Sequence, residues 1–200
     1  YSRAAEQYEK IGLMEEAGKV YILAGLLDQA ARCLEPLGTS EGLAHYYLLT
    51  GDPWVKETIE RIGENLMKLI EDGIYQFKGW DHCGRTNGWS MLALAGEYKI
   101  SPSDRCLKAM TRIADDALSE QDPNCGGWLY SLPPGHCNCV TRHHVGEAGF
   151  ISSIRLNGLS YYYRLTGDQR IPDAVLRGIN HLTNDTWNEF RSDWRYTSCP

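Results

Sequence analysis

From residue 39 onward the apolar positions of this chain recur at helical spacing, in segments separated by short runs of turn-forming residues. Ile59, Ile62, Leu66 and Ile70 fall on one face of a 3.6-residue helix. Leu107, Met110, Ile113, Ala114 and Leu118 do so in a second segment, and Val175, Ile179 and Leu182 in a third. Before the second and third lies a more apolar stretch rich in small residues: Met91-Leu92-Ala93-Leu94-Ala95-Gly96, and residues 149–159. An apolar helix followed by a half-apolar one is the pattern of a helical hairpin. Its first member is buried on most sides and its second faces solvent.

The hairpins repeat. Residues 42–52 read GLAHYYLLTGD and residues 158–168 read GLSYYYRLTGD, identical at eight of eleven positions. A degenerate copy, LALAGEYKISPSD, lies between them. Thr50-Gly51-Asp52 before Pro53, Ser101-Pro102-Ser103-Asp104 and Thr166-Gly167-Asp168 supply the breakers and helix caps that turn each first helix into its second. The paired tyrosines Tyr46-Tyr47 and the run Tyr161-Tyr162-Tyr163 repeat with the fold, which marks them as packing residues.

Residues 1–38 follow a shorter rule. Gly12, Gly25 and Gly38 recur every 13 residues, with Ala4, Ala17 and Ala30 in step and Tyr8 and Tyr21 in the same register. Each unit reads as a short amphipathic helix closed by glycine. The segment resembles tetratricopeptide-like helical arrays, and that resemblance implies protein contact through the N-terminal helices.

The pattern from residue 39 to 200 predicts an all-α domain of about three hairpins, an arc of an α/α toroid preceded by short solenoid-like helices. Gln121 followed by Gly126-Gly127-Trp128 resembles the Gln-x-Gly-Trp signature between hairpins of toroid enzymes such as terpene cyclases and some polysaccharide lyases. It is a signal of fold rather than of chemistry.

A formal net charge of -6 argues against nucleic acid as a partner. No apolar run reaches the roughly 18 residues that span a bilayer. Of the seven cysteines, Cys33 and Cys106 fall in helical patterns and read as small buried hydrophobes. The chain begins without methionine, and its sequence reads as a piece of something longer.

In a toroid the loops leading into the inner helices converge at one pole, where the positive ends of the helix dipoles point. Those loops, residues 79–89 and 133–149, are also the richest in chemical side chains. Gly84-Arg85-Thr86-Asn87-Gly88-Trp89 resembles the Gly-Arg-Gly-Asn-Gly-Trp stretch of the unsaturated uronyl hydrolases, a six-hairpin glycosidase family, and Gly79-Trp80-Asp81 is similar to a segment preceding it. The resemblance covers roughly residues 73–165. It implies a carbohydrate-active enzyme that acts on an acidic oligosaccharide by acid/base catalysis. Arg85 would then hold a carboxylate bidentately and Trp89 would face a sugar ring. Asn87, Trp80, Trp128, His82 and His143 complete the expected binding set. The family's catalytic aspartate lies on an earlier hairpin, and this chain has no match for it.

From the residues alone, Asp81 and Glu147 on two loops of one pole could flank a glycosidic bond, which needs a separation of about 5–10 Å. His144 could serve as a general base. Asp81 or Glu147 could equally cap a helix. The cluster of Cys137, Cys139, His143 and His144 raises a zinc site as an alternative to a cofactor-free enzyme, although its spacing matches no familiar zinc module. A disulfide such as Cys83 with Cys137 would use the same cysteines. A third alternative is a non-catalytic toroid that binds glycan or protein.

Overall fold

The computed structural model describes residues 1–10, 17, 20, 21, 39–75, 77, 83–132 and 145–198. Among them are seven helices: α1 (Ser2–Lys10), α2 (Thr39–Thr50), α3 (Pro53–Glu71), α4 (Cys83–Ile100), α5 (Asp104–Glu120), α6 (Gly149–Thr166) and α7 (Ile171–Thr186). The fold is all-α. Its strands are two-residue ladders, β1 (Tyr130–Ser131) with β2 (Val145–Gly146), and β3 (Trp187–Asn188) with β4 (Asp193–Trp194), both antiparallel.

Helices α2/α3, α4/α5 and α6/α7 form three consecutive hairpins. Helix α4 packs against α2 on one side and α6 on the other, while α3, α5 and α7 each pack on the first helix of their own hairpin. The main core lies between these layers, around Met91, Leu94, Met110, Ile113 and Leu159. A smaller cluster joins Ala44, Val55 and Ile59.

The repeated turns fold alike because their chemistry is local. Gly51 and Gly167 both sit at φ 69°, the left-handed conformation that glycine adopts freely. Each donates its N–H to the carbonyl four residues back, Tyr47 at 2.7 Å and Tyr163 at 2.8 Å. Thr50 and Thr166 hydroxyls donate to the carbonyls of Tyr46 and Tyr162, both at 2.8 Å. Asp52 then caps α3 by accepting from Trp54 N–H, and Asp168 accepts from Arg170 N–H, both at 3.0 Å. Ser103 performs the same task in the middle copy, accepting from Cys106 N–H at 3.1 Å.

Some faces are rotated from their expected position. On α3, Val55, Ile59, Leu66 and Ile70 are buried but Ile62 is exposed. On α7 the buried residues are Ile171, Ala174, Gly178, His181 and Thr186; of the expected face Val175 and Leu182 pack on the core partly buried, and Ile179 is exposed. On α7 the cause is Trp128. A Cβ on Gly178 would stand 2.6 Å from its indole, so α7 must present small residues to the core. Tyr161 and Tyr162 are buried as expected, whereas Tyr163 is exposed. Near the N-terminus Ala5, Ala17 and Tyr21 form a small cluster of their own, with the Tyr21 hydroxyl donating to Glu9 at 3.0 Å. It is Ala5, not the periodic Ala4, that is buried there. The periodic glycines Gly12, Gly25 and Gly38, with Ala30 and Cys33, lie outside the described residues.

Two features of the helix packing have measurable consequences. The backbones of α4 and α6 touch at Gly88 and Gly158: a Cβ on Gly88 would lie 2.5 Å from the Ile154 carbonyl carbon, and one on Gly158 would lie 3.0 Å from the Gly88 carbonyl oxygen. Because the obstacle is backbone, Gly88→Ala is expected to destabilise the fold by about 2–4 kcal/mol in urea unfolding. Gly51→Ala meets no neighbouring atom and is expected to cost only about 1 kcal/mol, from the left-handed backbone alone.

The second feature is Glu97 of α4, which is buried with its Oε2 lacking any hydrogen-bond partner and its carboxylate against Gly63 of α3. Burial pushes its pKa up to about 7, with Glu64 and Glu60 adding to the rise and Arg105 opposing it. Folded chains therefore keep this proton at pH values where unfolded chains release it. The stability it contributes is complete below about pH 4.5 and is lost as pH rises through about 7. Glu97→Gln should gain about 1–3 kcal/mol over the parent above pH 7 and lose that advantage below pH 4.5. Parallel urea titrations across that range provide the check.

Candidate functional site

The stretch Gly84-Arg85-Thr86-Asn87-Gly88-Trp89 is not a loop. It forms the first turns of α4, and helical spacing explains how its residues divide. Gly84 and Gly88, four apart, face α6. A Cβ on Gly84 would meet Ile151 at 2.8 Å and the Arg155 guanidinium at 3.4 Å. Asn87 is fully buried and its side-chain N–H donates to the Ile113 carbonyl at 3.0 Å, tying α4 to α5. Arg85 and Trp89, also four apart, are left exposed. The Arg85 guanidinium lies 5.2 Å from the Phe150 ring centroid, and Arg85 forms no ion pair within the described residues.

This contact brings the starts of α4 and α6 together at one pole. Here the C-terminal segment crosses over. Gly149 N–H donates to the Tyr196 carbonyl at 3.0 Å, Ala148 and Thr197 form a bridge, and the Phe150 and Tyr196 rings stand 5.6 Å apart. Trp187 and Trp194 meet edge to face at 5.1 Å across the β3–β4 ladder. Between α6, α7 and this segment is a cleft of about 560 Å³ whose walls include Phe150, Trp194 and Tyr196.

Glu147 has a different setting. It precedes α6 and is fully buried. Its Oε2 accepts from Trp128 N–H at 2.7 Å, and its Oε1 lies 3.5 Å from His181 Nε2. Its backbone is fixed on both sides by Ser198, whose Oγ accepts from Glu147 N–H and whose N–H donates to the Glu147 carbonyl, each at 2.9 Å. His181 Nδ1 lies 2.7 Å from Asp185. Glu147, His181 and Asp185 thus form a line of titratable groups running from the core to the surface of α7.

Trp128 is a core residue rather than an exposed sugar platform. Its indole N–H donates to the Ala117 carbonyl at 2.7 Å, and the buried Arg155 guanidinium lies 5.1 Å from its ring. Arg155 reaches Glu120 at 3.7 Å. Gln121, the start of the same motif, donates to the carbonyls of Gly126 at 2.8 Å and Ala174 at 2.7 Å, and accepts from Arg177 at 2.6 Å. Gln121 and Trp128 together lock the α5–β1 loop onto α7, a structural use of the motif.

Arg85, Asn87, Trp89, Trp128 and Glu147 are therefore placed, and only Arg85 and Trp89 face solvent. Asp81, His82, Trp80, His143, His144, Cys137 and Cys139 lie outside the described residues. Among the described residues no group of His, Cys, Asp or Glu is arranged to hold a metal, and Cys106 and Cys125 are free thiols. Burial pushes the Cys106 thiol up to about 12, which leaves it inert. No helix of the described chain is long and apolar enough to cross a membrane. His181, Arg155 and Arg177 escaped the sequence reading. The available signal for His181 was its place on the helical face with Ile171, Ala174 and Gly178.

Compared with known proteins, the chain matches no family model, no curated protein and no solved structure.

The Glu147 carboxylate satisfies a buried backbone N–H, and its loss leaves that group and His181 stranded. Glu147→Ala is expected to destabilise by about 3 kcal/mol. Glu147→Gln keeps an acceptor for Trp128 N–H and should cost about half as much. Urea denaturation of the three proteins at one pH decides it, and equal stabilities would exclude the clamp.

Proposed function

We propose that this chain is a carbohydrate-active arc of an α/α toroid that binds an acidic saccharide at the pole where α4 and α6 begin. The observation that carries this reading is Arg85, an exposed guanidinium over the ring of Phe150, which also forms part of the wall of an aromatic-walled cleft. A guanidinium suits a uronate carboxylate, and exposed rings suit the apolar faces of a sugar. The three hairpins in sequence support the toroid, since they place the first helices side by side and start α4 and α6 at one pole.

Hydrolysis would need a carboxylate that reaches the sugar. Glu147 is buried and engaged, so in this reading Asp81, four residues ahead of Arg85, acts as the acid/base group and His144 assists it. Glu147 serves to position the strand that leads into α6. A toroid that binds the same saccharide without cleaving it is the second reading, favoured by that burial of Glu147.

The test is calorimetric binding of an unsaturated uronic-acid disaccharide, followed by an assay for loss of its double-bond absorbance. Binding should weaken about 10- to 100-fold in Arg85→Ala, in line with the loss of one charge-assisted hydrogen-bond pair. A neutral disaccharide should be indifferent to that change. Asp81→Asn should abolish turnover and leave affinity unchanged. Binding without turnover in the parent chain establishes the second reading, and no binding of any acidic saccharide defeats both.

A further inference from the structure

The cleft beside Arg85 has a chemistry of its own. Its walls are formed by Phe150, Leu156, Ile179, Leu182, Trp194 and Tyr196. Four of them are substantially exposed: Phe150 39%, Ile179 45%, Trp194 60% and Tyr196 54%. Contiguous exposed apolar surface of this kind marks a place where something binds.

Two of the hydroxyls in the wall, those of Ser153 and Thr186, are already engaged, and Thr183 is the third side-chain alcohol there. Ser153 Oγ donates to the Gly149 carbonyl at 2.8 Å, and Thr186 Oγ1 donates to the Leu182 carbonyl at 2.5 Å. A sugar ring in this cleft would surrender hydrogen bonds to water and find few in return. A flat apolar ring loses nothing by entering and is sandwiched by aromatic walls. The cleft is preformed, because Arg195 N–H donates to the Thr186 carbonyl at 2.7 Å and Gly149 N–H holds the Tyr196 carbonyl at 3.0 Å. A volume of about 560 Å³ falls within the size range of small-molecule sites. Arg85 stands over its Phe150 wall and Arg195 lines the cleft itself, and these two cations ask for an anion beside it.

We infer that the ligand is an aryl uronide: an acidic sugar held at Arg85 whose aromatic aglycone lies in the cleft between α6, α7 and the β3–β4 segment. This rests on the acidic-saccharide reading and adds the aglycone to it. Specificity then resides in two separable places, the carboxylate contact at Arg85 and the apolar contact at Ile179.

Calorimetry with three probes distinguishes the two claims: methyl glucuronide, 4-methylumbelliferyl glucuronide and 4-methylumbelliferyl glucoside. The aryl glucuronide is expected to bind at least about 10-fold more tightly than the methyl glucuronide, consistent with burial of one aromatic ring. Ile179→Asp, at a half-exposed position, should remove that advantage and leave methyl glucuronide binding intact. Thr183→Trp, which fills the cleft instead of charging it, should do the same. Arg85→Ala should weaken both glucuronides by a similar factor. If the methyl and aryl glucuronides bind equally well, the aglycone site is refuted while the acidic-saccharide reading stands. If neither glucuronide binds, both are refuted. If the aryl glucoside matches the aryl glucuronide and Arg85→Ala changes nothing, the cleft takes an aryl group without a uronate, and the inference as stated fails.

Discussion

The contact between α4 and α6 at Gly88 and Gly158 sets the geometry on which the rest of the molecule is built. Two helices that carry ordinary side chains at their crossing stand about 8–10 Å apart. Glycine on both sides removes that spacer, and the Gly88 position is filled by Ile154 backbone. With the helices this close, Gly84 meets Ile151 and Arg155 one turn nearer the pole. The next residues, Arg85 and Phe150, have no room between the helices and emerge side by side. The juxtaposition of a cation and an aromatic ring at the pole is therefore a consequence of backbone packing about one turn below it.

Trp128 extends this constraint to the third hairpin. Its ring touches Gly178 of α7 and lies near Arg155 of α6, its indole nitrogen reaches Ala117 of α5, and its backbone N–H reaches Glu147. Burying Arg155, Glu147 and His181 around one indole is unfavourable unless their polar atoms find partners. Here the partners come from separate segments, so each charged group joins elements distant in sequence. A cluster of that kind ties the fold to a single arrangement, because a shift of α7 by one turn would strand several groups at once. Glu97 is the counterexample on the opposite side of α4. Glu147 leaves its Oε1 without a hydrogen bond but engages Oε2 with Trp128 N–H, whereas at Glu97 Oε2 has no partner and burial raises the pKa.

The parts legible in the sequence are those whose physics is local. Thr50-Gly51-Asp52 and Thr166-Gly167-Asp168 dictate one turn through hydrogen bonds that span at most four residues, so identical strings gave identical geometry. The alternation of apolar and amphipathic helices was equally visible, and the motif from Gln121 to Trp128 reads as a fold signal, although Trp128, also expected to face a sugar, is buried in the core. The faces of α3 and α7 were less so, because periodicity counts apolar residues and does not know that an indole needs Gly178 rather than Ile179. Glu147 shows the same limit. Nothing in its neighbours along the chain announces that its carboxylate turns inward to Trp128 and His181. The stretch from Gly84 to Trp89 looked like a loop because it holds two glycines and an asparagine. In three dimensions those glycines are helix-contact residues, and Asn87 bonds to a carbonyl 26 residues away.

Charge on this molecule is segregated rather than uniform. The formal net charge is -6, yet Glu57, Glu60, Glu64 and Glu71 gather along the outer helix α3, where Arg105 pairs with Glu64 and Glu71. At the pole, Glu147 is withdrawn into the core while Arg85 and Arg195 stand at the surface. The amino ends of α4 and α6 add partial positive charge at the same place. Two exposed arginines thus stand together on an acidic protein, and screening over roughly 8 Å at physiological salt limits the reach of the α3 carboxylates. Overall charge predicts long-range repulsion of an anion, but the pole decides what happens once the anion is within a few ångströms of Arg85. If an acidic ligand binds at Arg85 as proposed, its association would be slow at low ionic strength and faster as salt screens the distant carboxylates.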